Sequence, residues 1–396
     1  MTNATVQPTN MEERIIWIGI TCVYLFYLSG TLYVLGSLIG WVLVLIMLLR
    51  VFVEGKLPIN ACFPVIAWVW VIGMLFMLLA LWVAHADFEL SLGQTIKSTI
   101  GWAKGWALLA IFPLLGAVIS VRPQVITRAC CVLASQSFIF LGLGIVLAIV
   151  GFHGELYVSP LKLIGGPIST FEVNLFGLNP ETGKPRWSFF TPWAPAAGLL
   201  SCLFFIICQH ETDRFWRRAG ILGALVMCVF SQSRTGWIIF FMLGPCLILF
   251  RLVRRPAWIL ALGVGLSALI VVGQPVIEHV DQAHQDIKNS RPGSTRVRSA
   301  LATLAVQRWQ SEALIWGHGV VERGPKMVEY MPIGSHHSWF GLLFVKGVVG
   351  LLALAMPMLV TVIYLLMSSV SSKIAQSAFL IMLVFVGYSF FENLEI

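Results

Sequence analysis

A few basic side chains stand out by type and place. Arg234, in Ser231-Gln232-Ser233-Arg234-Thr235-Gly236, lies between two apolar stretches with almost no loop. An arginine there is costly unless it is paired or faces a wet cavity. It reads either as a snorkelling interfacial arginine or as an anion-binding one. Arg186, in Lys184-Pro185-Arg186-Trp187-Ser188, closes a polar stretch just where an apolar one begins. A membrane-edge arginine beside an aromatic belt is the competing reading. Lys288, Arg291, Arg296, Arg298 and Arg308 form a window with no acid between its ends, so they read as uncompensated. Pro292-Gly293-Ser294 predicts a turn with Ser294 as N-cap. Val297, Leu301, Leu304 and Arg308 then recur at helical spacing up to a stop at Gly317. The pattern predicts an amphipathic helix on the outer membrane surface, drawn there by site chemistry or by anionic lipid headgroups. Finally, His336-His337 sit in Gly334-Ser335-His336-His337-Ser338-Trp339-Phe340. An unperturbed imidazole accepts a proton near neutral pH. Adjacent helical residues do not share a face, so the pair is not read as a metal chelate. An interfacial polar pair is the alternative.

Arginines with one histidine and few carboxylates suit a particular chemistry. Guanidinium forks bind phosphate oxygens bidentately and keep their charge. A diphosphate leaving group needs that neutralisation as its bond breaks, and the histidine is left to activate a hydroxyl. The paired carboxylates of ordinary glycoside hydrolysis are missing from the cluster.

The elements that must position these residues are membrane spans. The 396 residues are 58% hydrophobic and only 11% charged, against roughly 25% charged in a soluble domain. That excludes an ordinary soluble enzyme, a disordered chain and a nucleic-acid-binding domain; basic residues at membrane edges account for the net charge of +8. About eleven apolar stretches approach the roughly 20 residues a bilayer needs. They fall near 15–31, 34–53, 63–84, 102–121, 129–151, 188–208, 219–233, 236–250, 257–273, 338–367 and 375–391. The first reads as a retained span, with no cleavage site. The 15 Trp fit interfacial anchoring. Arg14, Arg50, Lys56, Arg122, Arg128, Arg214, Arg217, Arg218, Arg251, Arg254, Arg255 and Lys373 all alternate onto one side, in short basic loops, which marks it as cytoplasmic. Three longer connections, 85–101, 152–187 and 274–337, then face outward. The last two are expected to be ordered, and the last to carry the active site. The eight cysteines lie in apolar segments without a ligand pattern. The chain reads as an all-α polytopic helical bundle, one transmembrane domain over 1–396.

These residues resemble the O-antigen ligase family, which includes related Wzy-type polysaccharide polymerases. Four stretches from about Arg186 to Gly350 carry the likeness. Arg186-Trp187-Ser188-Phe189-Phe190 with Pro195 looks like the family's Arg-x-x-(Gly/Ser)-Phe leading to Pro-Asn, although Ala196 stands where Asn is usual. Ser233-Arg234-Thr235-Gly236 looks like Ser-Arg-(Gly/Thr). Arg298, with Arg296 as its close competitor, matches an arginine opening a loop helix that runs to Gly-x-Gly, here Gly317-His318-Gly319. His336-His337-Ser338-Trp339-Phe340 through Gly347-Val348-Val349-Gly350 looks like His-Asn-x-x-Leu…Gly-x-x-Gly, with His336 at the histidine and His337 at the Asn.

The resemblance implies a glycosyltransferase of the GT-C type in the bacterial inner membrane, with eleven to twelve transmembrane helices and an active site facing the periplasm. It would transfer glycan from an undecaprenyl diphosphate-linked donor to lipid A-core, or to another glycan repeat if it is a polymerase. It would invert the anomeric centre without a metal ion or cofactor. Arg186, Arg234 and Arg298 or Arg296 would hold the diphosphate, with His336, or His337 beside it, as base. Membrane lipids are the other expected partners, and nucleic acid is not one. A lipid-linked glycan transporter is the distant alternative, but transporters place binding groups near the bilayer midplane, whereas here they collect at one face.

Overall fold

The computed structural model describes residues 6–55, 64–152, 155–164, 170–178, 183, 185–253 and 292–394. The expected span at 257–273, with Lys288 and Arg291, lies outside the described residues. The apolar stretches become helices α1 (Met11–Thr21), α2 (Val23–Leu28), α3 (Leu32–Glu54), α4 (Val65–Asp87), α5 (Leu92–Lys104), α6 (Leu108–Val118), α7 (Pro123–Ile149), α8 (Ala194–Cys208), α9 (Arg214–Ser231) and α10 (Arg234–Val253). After the undescribed stretch come α11 (Pro292–Glu312), α12 (Ser338–Ser369) and α13 (Lys373–Ser389). Their starts carry recognisable caps. The side chains of Asn10, Asp213 and Ser372 accept backbone N–H groups in the first turns of α1, α9 and α13, satisfying donors that a helix start leaves open.

Among the described residues, five helical stretches are long and apolar enough to cross a membrane: Leu32–Val53, Val65–Asp87, Leu92–Val118, Pro123–Ile149 and Ser338–Ser369. Three shorter apolar helices, Ala194–Cys208, Arg234–Ile248 and Lys373–Ser389, accompany them. The molecule is a multi-pass membrane protein of the all-α class. Large apolar side chains such as Phe52, Ile139 and Ile149 face outward, as an apolar solvent allows. Close approach between helices uses small residues. A Cβ on Gly223 of α9 would lie 2.1 Å from the Ala134 carbonyl of α7.

One expectation changes. The connection 85–101 is not a loop: α5 occupies most of it, opened by a capping box between Ser91 and Gln94. None of its residues is buried, and with α6 it forms the apolar helical stretch Leu92–Val118. The described part of 152–187 is ordered as strand pairs, Tyr157–Val158 with Glu172–Val173 and Phe176–Leu178 with Pro185–Trp187, plus one 3-10 turn at Pro160–Ile164. Gly and Pro punctuate this stretch too often for a helix.

Ion pairs tie one end of the bundle together. Arg122 forks onto Glu13 at 2.7 and 2.8 Å, Arg50 reaches Glu12 at 2.5 Å and Arg128 reaches Glu211 at 2.9 Å. Glu211 follows the C-terminal end of α8, whereas Arg186 precedes its N-terminal end. Arg128, one of the basic residues used for orientation, and Arg186 of the candidate site therefore lie towards opposite ends of that helix.

The break in α12 positions the site. Gly347 has φ 62° and ψ −162°, a conformation essentially restricted to glycine. The break frees backbone groups, and the turn Leu314–Gly319 takes them up. His318 and Gly319 donate to the carbonyls of Phe344 and Val345, both at 2.9 Å. Val348 and Val349 donate to the carbonyls of Leu314 and Ile315 at 3.1 and 3.2 Å. The buried His318 ring adds contacts of 2.9 Å from Nδ1 to the Phe344 carbonyl and 2.8 Å from Nε2 to Glu312 Oε2. Helix α11 is thereby locked to α12.

Candidate functional site

Helix α11 starts at Pro292, a residue suited to the first helical position, so Ser294 lies inside the helix and is not its N-cap. The helix ends at Glu312, before Gly317, because Leu314–Gly319 is committed to the break in α12. Val297, Leu301 and Ala305 are buried on one face. That face packs against Val328 and Met331 and against Ile333, Phe344 and Val345, so protein rather than lipid covers it. The basic window is not uncompensated either. Arg308 pairs with Glu312 at 2.7 Å and Glu322 at 2.5 Å, and Arg298 Nη2 stands 3.6 Å from Glu392 Oε1. An acid-free stretch of sequence is not an acid-free volume.

Arg296 and Arg298 separate cleanly. At 100° per residue they project about 200° apart. Arg298, with Ser335, His336, His337, Phe390 and Phe391, lines a cavity of about 250 Å³. Arg296 is exposed and is not part of that wall.

The two histidines also part. His337 is the N-cap of α12, its Nδ1 accepting from the Phe340 N–H at 3.4 Å. Its ring stacks on Phe340 at 4.0 Å. This is the capping job that asparagine does well, at the position where the resemblance expects Asn. His336 adopts φ 70°, an uncommon conformation for any residue but glycine. Among the described residues none hydrogen-bonds its ring. Burial, reinforced by the positive charge of Arg298, lowers its pKa from 6.5 to about 4. At neutral pH its ring is unprotonated and faces the cavity.

Arg186 meets the turn that joins α9 to α10. Arg186 Nε donates to the Ser231 carbonyl at 2.8 Å, and Gln232 Nε2 donates to the Pro185 carbonyl at 2.9 Å. Gln232 takes a left-handed conformation to end α9, and Ser233 Oγ then accepts from the Gly236 N–H at 3.1 Å as α10 begins. Arg234 is exposed in the first turn of α10.

Glu392 joins the site without having been nominated from the sequence. It follows α13, is only 14% exposed, and sits in the fields of both Arg298 and Arg186. Burial raises its carboxyl pKa against the opposing pull of the two arginines. The only signal in the sequence was an acid directly after the last apolar span.

Residues 219–355, roughly a third of the chain, match the family model for O-antigen ligase. The match covers the Ser-Arg-Thr-Gly turn, α11, the interlocked break and both histidines. It supports an assignment to the O-antigen ligase family and, with it, a ligase- or polymerase-type membrane glycosyltransferase. No curated protein matches the chain.

Proposed function

We propose that the protein is a metal-independent, inverting membrane glycosyltransferase of the O-antigen ligase type, moving a glycan from undecaprenyl diphosphate to lipid A-core. The site end of the bundle would face the periplasm of a bacterial inner membrane, with the connection from residue 274 to 337 supplying much of the active site. Support comes above all from one juxtaposition: an unprotonated, unpaired imidazole, His336, sharing a small cavity with a guanidinium, Arg298.

In this reading Arg298, Arg186 and Arg234 hold the donor diphosphate. His336 takes the proton from an acceptor hydroxyl. The hydroxyl oxygen bonds to the anomeric carbon as the bond from that carbon to the diphosphate oxygen breaks on the opposite face. The electron pair leaves with the diphosphate, whose added charge the arginines neutralise. General-base assistance is worth roughly 10²–10⁴ in rate. Purified His336→Ala is therefore expected to lose most transfer, whereas His337→Asn, which keeps a capping side chain, is expected to keep it. Full activity in His336→Ala would refute the assignment, and loss of activity in EDTA would refute the metal-free mechanism. A polymerase would use the same chemistry on a different acceptor. Long chains left on the carrier lipid of a deletion strain would indicate a ligase; single repeats on the core would indicate a polymerase.

A further inference from the structure

The carboxylate of Glu392 stands where the proposed chemistry requires an anion of another kind. Arg298 Nη2 is 3.6 Å from its Oε1, and the field of Arg186 reaches it from the strand that precedes α8. A phosphate seated on these arginines would share them with the carboxylate. Two anions in one site repel, and one of them is driven towards its neutral form.

Withdrawal of Glu392 from the site would be the simplest relief, but its backbone is held on every side. The Glu392 N–H donates to the Tyr388 carbonyl at 2.9 Å. Its own carbonyl accepts from Ser338 Oγ at 2.8 Å, and the same hydroxyl accepts from the Leu394 N–H at 2.9 Å. Arg298 Nη1 donates to the neighbouring Phe391 carbonyl at 3.2 Å. Ser338 is the first residue of α12, two positions after His336, so this stitching joins the last turn of the bundle to the histidine. With the backbone held, only rotation of the side chain or protonation of the carboxylate can relieve the repulsion, and protonation leaves the packing of this turn unchanged.

We propose that Glu392 is the resident counter-anion of the site: it offsets part of the charge of Arg298 and Arg186 in the empty protein and takes up one proton from water when a phosphate-bearing ligand binds them. The idea rests on the diphosphate-binding reading above. The ionisable groups facing Glu392 are Arg298 from α11, Arg186 from the strand before α8 and Tyr388 from α13; His336 shares the cavity with Arg298. Burial already holds the Glu392 carboxyl above its ordinary range, so the extra charge of a ligand completes a shift that has begun. Binding would then tighten as pH falls, by up to tenfold per unit, and weaken at high pH, where the carboxylate competes.

The test uses the full-length protein in detergent and dimethyl diphosphate esterified at both ends, a probe whose two acid groups stay ionised between pH 6 and 8. Calorimetry in two buffers of different ionisation enthalpy counts protons taken up. The expected result is uptake of about one proton by the wild type and tightening of binding from pH 8 to 6. Glu392→Gln should bind the probe roughly tenfold tighter at pH 8 and lose most of the uptake. Any uptake that persists in Glu392→Gln belongs to His336. Glu392→Asp should keep the pH dependence. Wild-type binding without proton uptake, or equal pH dependence in Glu392→Gln, overturns the proposal while leaving the anion site standing. Failure of both wild type and Glu392→Gln to bind the probe overturns the anion site itself, and the proposal with it.

Discussion

Replacing Gly347 with alanine tests how the site is held together. The backbone there has φ 62° and ψ −162°, and forcing a residue with a Cβ into it costs about 1–3 kcal/mol. Space is lacking as well: the new Cβ would stand 2.2 Å from the Ile315 carbonyl oxygen and 2.7 Å from the Gly317 nitrogen. Both obstacles are backbone, so no side chain can rotate away. If the turn is pushed off, the four backbone hydrogen bonds between Leu314–Gly319 and Phe344–Val349 go with it. At about 1 kcal/mol each, the total reaches about 6 kcal/mol; if the chain yields only locally, about 2 kcal/mol remains. The functional consequence should exceed the stability loss, because this interlock anchors the C-terminal end of the helix that carries Arg298. Misplacing such a group by an ångström costs roughly 10²-fold in rate. Thermal unfolding in detergent and glycan transfer by the same preparation measure the two effects. Gly116→Ala is the control: it is a helix-interior glycine whose Cβ would meet nothing within 4 Å, so it should be neutral or slightly stabilising. A Gly347→Ala protein that melts and transfers like the wild type would refute the account of the interlock.

Three further outcomes follow from the same geometry. Arg298→Ala should lower transfer roughly 10²–10³-fold, while Arg296→Ala stays within a few-fold; the reverse ranking would mean that the other face of α11 serves the site. Because His336 is lowered to about 4, the acid limb of kcat/KM should fall near pH 4 instead of 6.5. The unfolded chain binds that proton between about pH 4 and 6.5 and the folded one does not, so stability should rise with pH across this window. An acid limb near 6.5 would contradict this burial. At the opposite end, Arg128→Met should cost about 3–5 kcal/mol by leaving the buried Glu211 unpaired, with Arg128→Met/Glu211→Met less harmful than the single change. Melting temperatures of the two proteins decide, and equal losses would refute it.

The chain's own chemistry determined the class of molecule and the approximate place of most of its helices. Long apolar runs have few stable forms in a membrane, since only a helix or a closed barrel satisfies its own backbone. Most of the described helices therefore fall where the hydropathy puts them, with Cys22 dividing the first span into α1 and α2. Local polarity misled where it does not report conformation, as in α5, which carries polar residues and is helical. Local spacing also nominated Arg186, Arg234, Arg296, Arg298, His336 and His337, because charge is scarce enough here for each to be noticed. What it could not do was choose among them. Arg296 and Arg298 are equivalent by type and differ by two positions; the docking of Val297, Leu301 and Ala305 against neighbouring protein turns one away from the cavity and the other into it. His336 and His337 differ by one position, and the start of α12 takes His337 as its cap. Glu392 was invisible as a partner because ion pairing acts through space. Only the return of α13 beside α12 brings the Glu392 carboxylate, far from Arg298 along the chain, back to within 3.6 Å of that guanidinium.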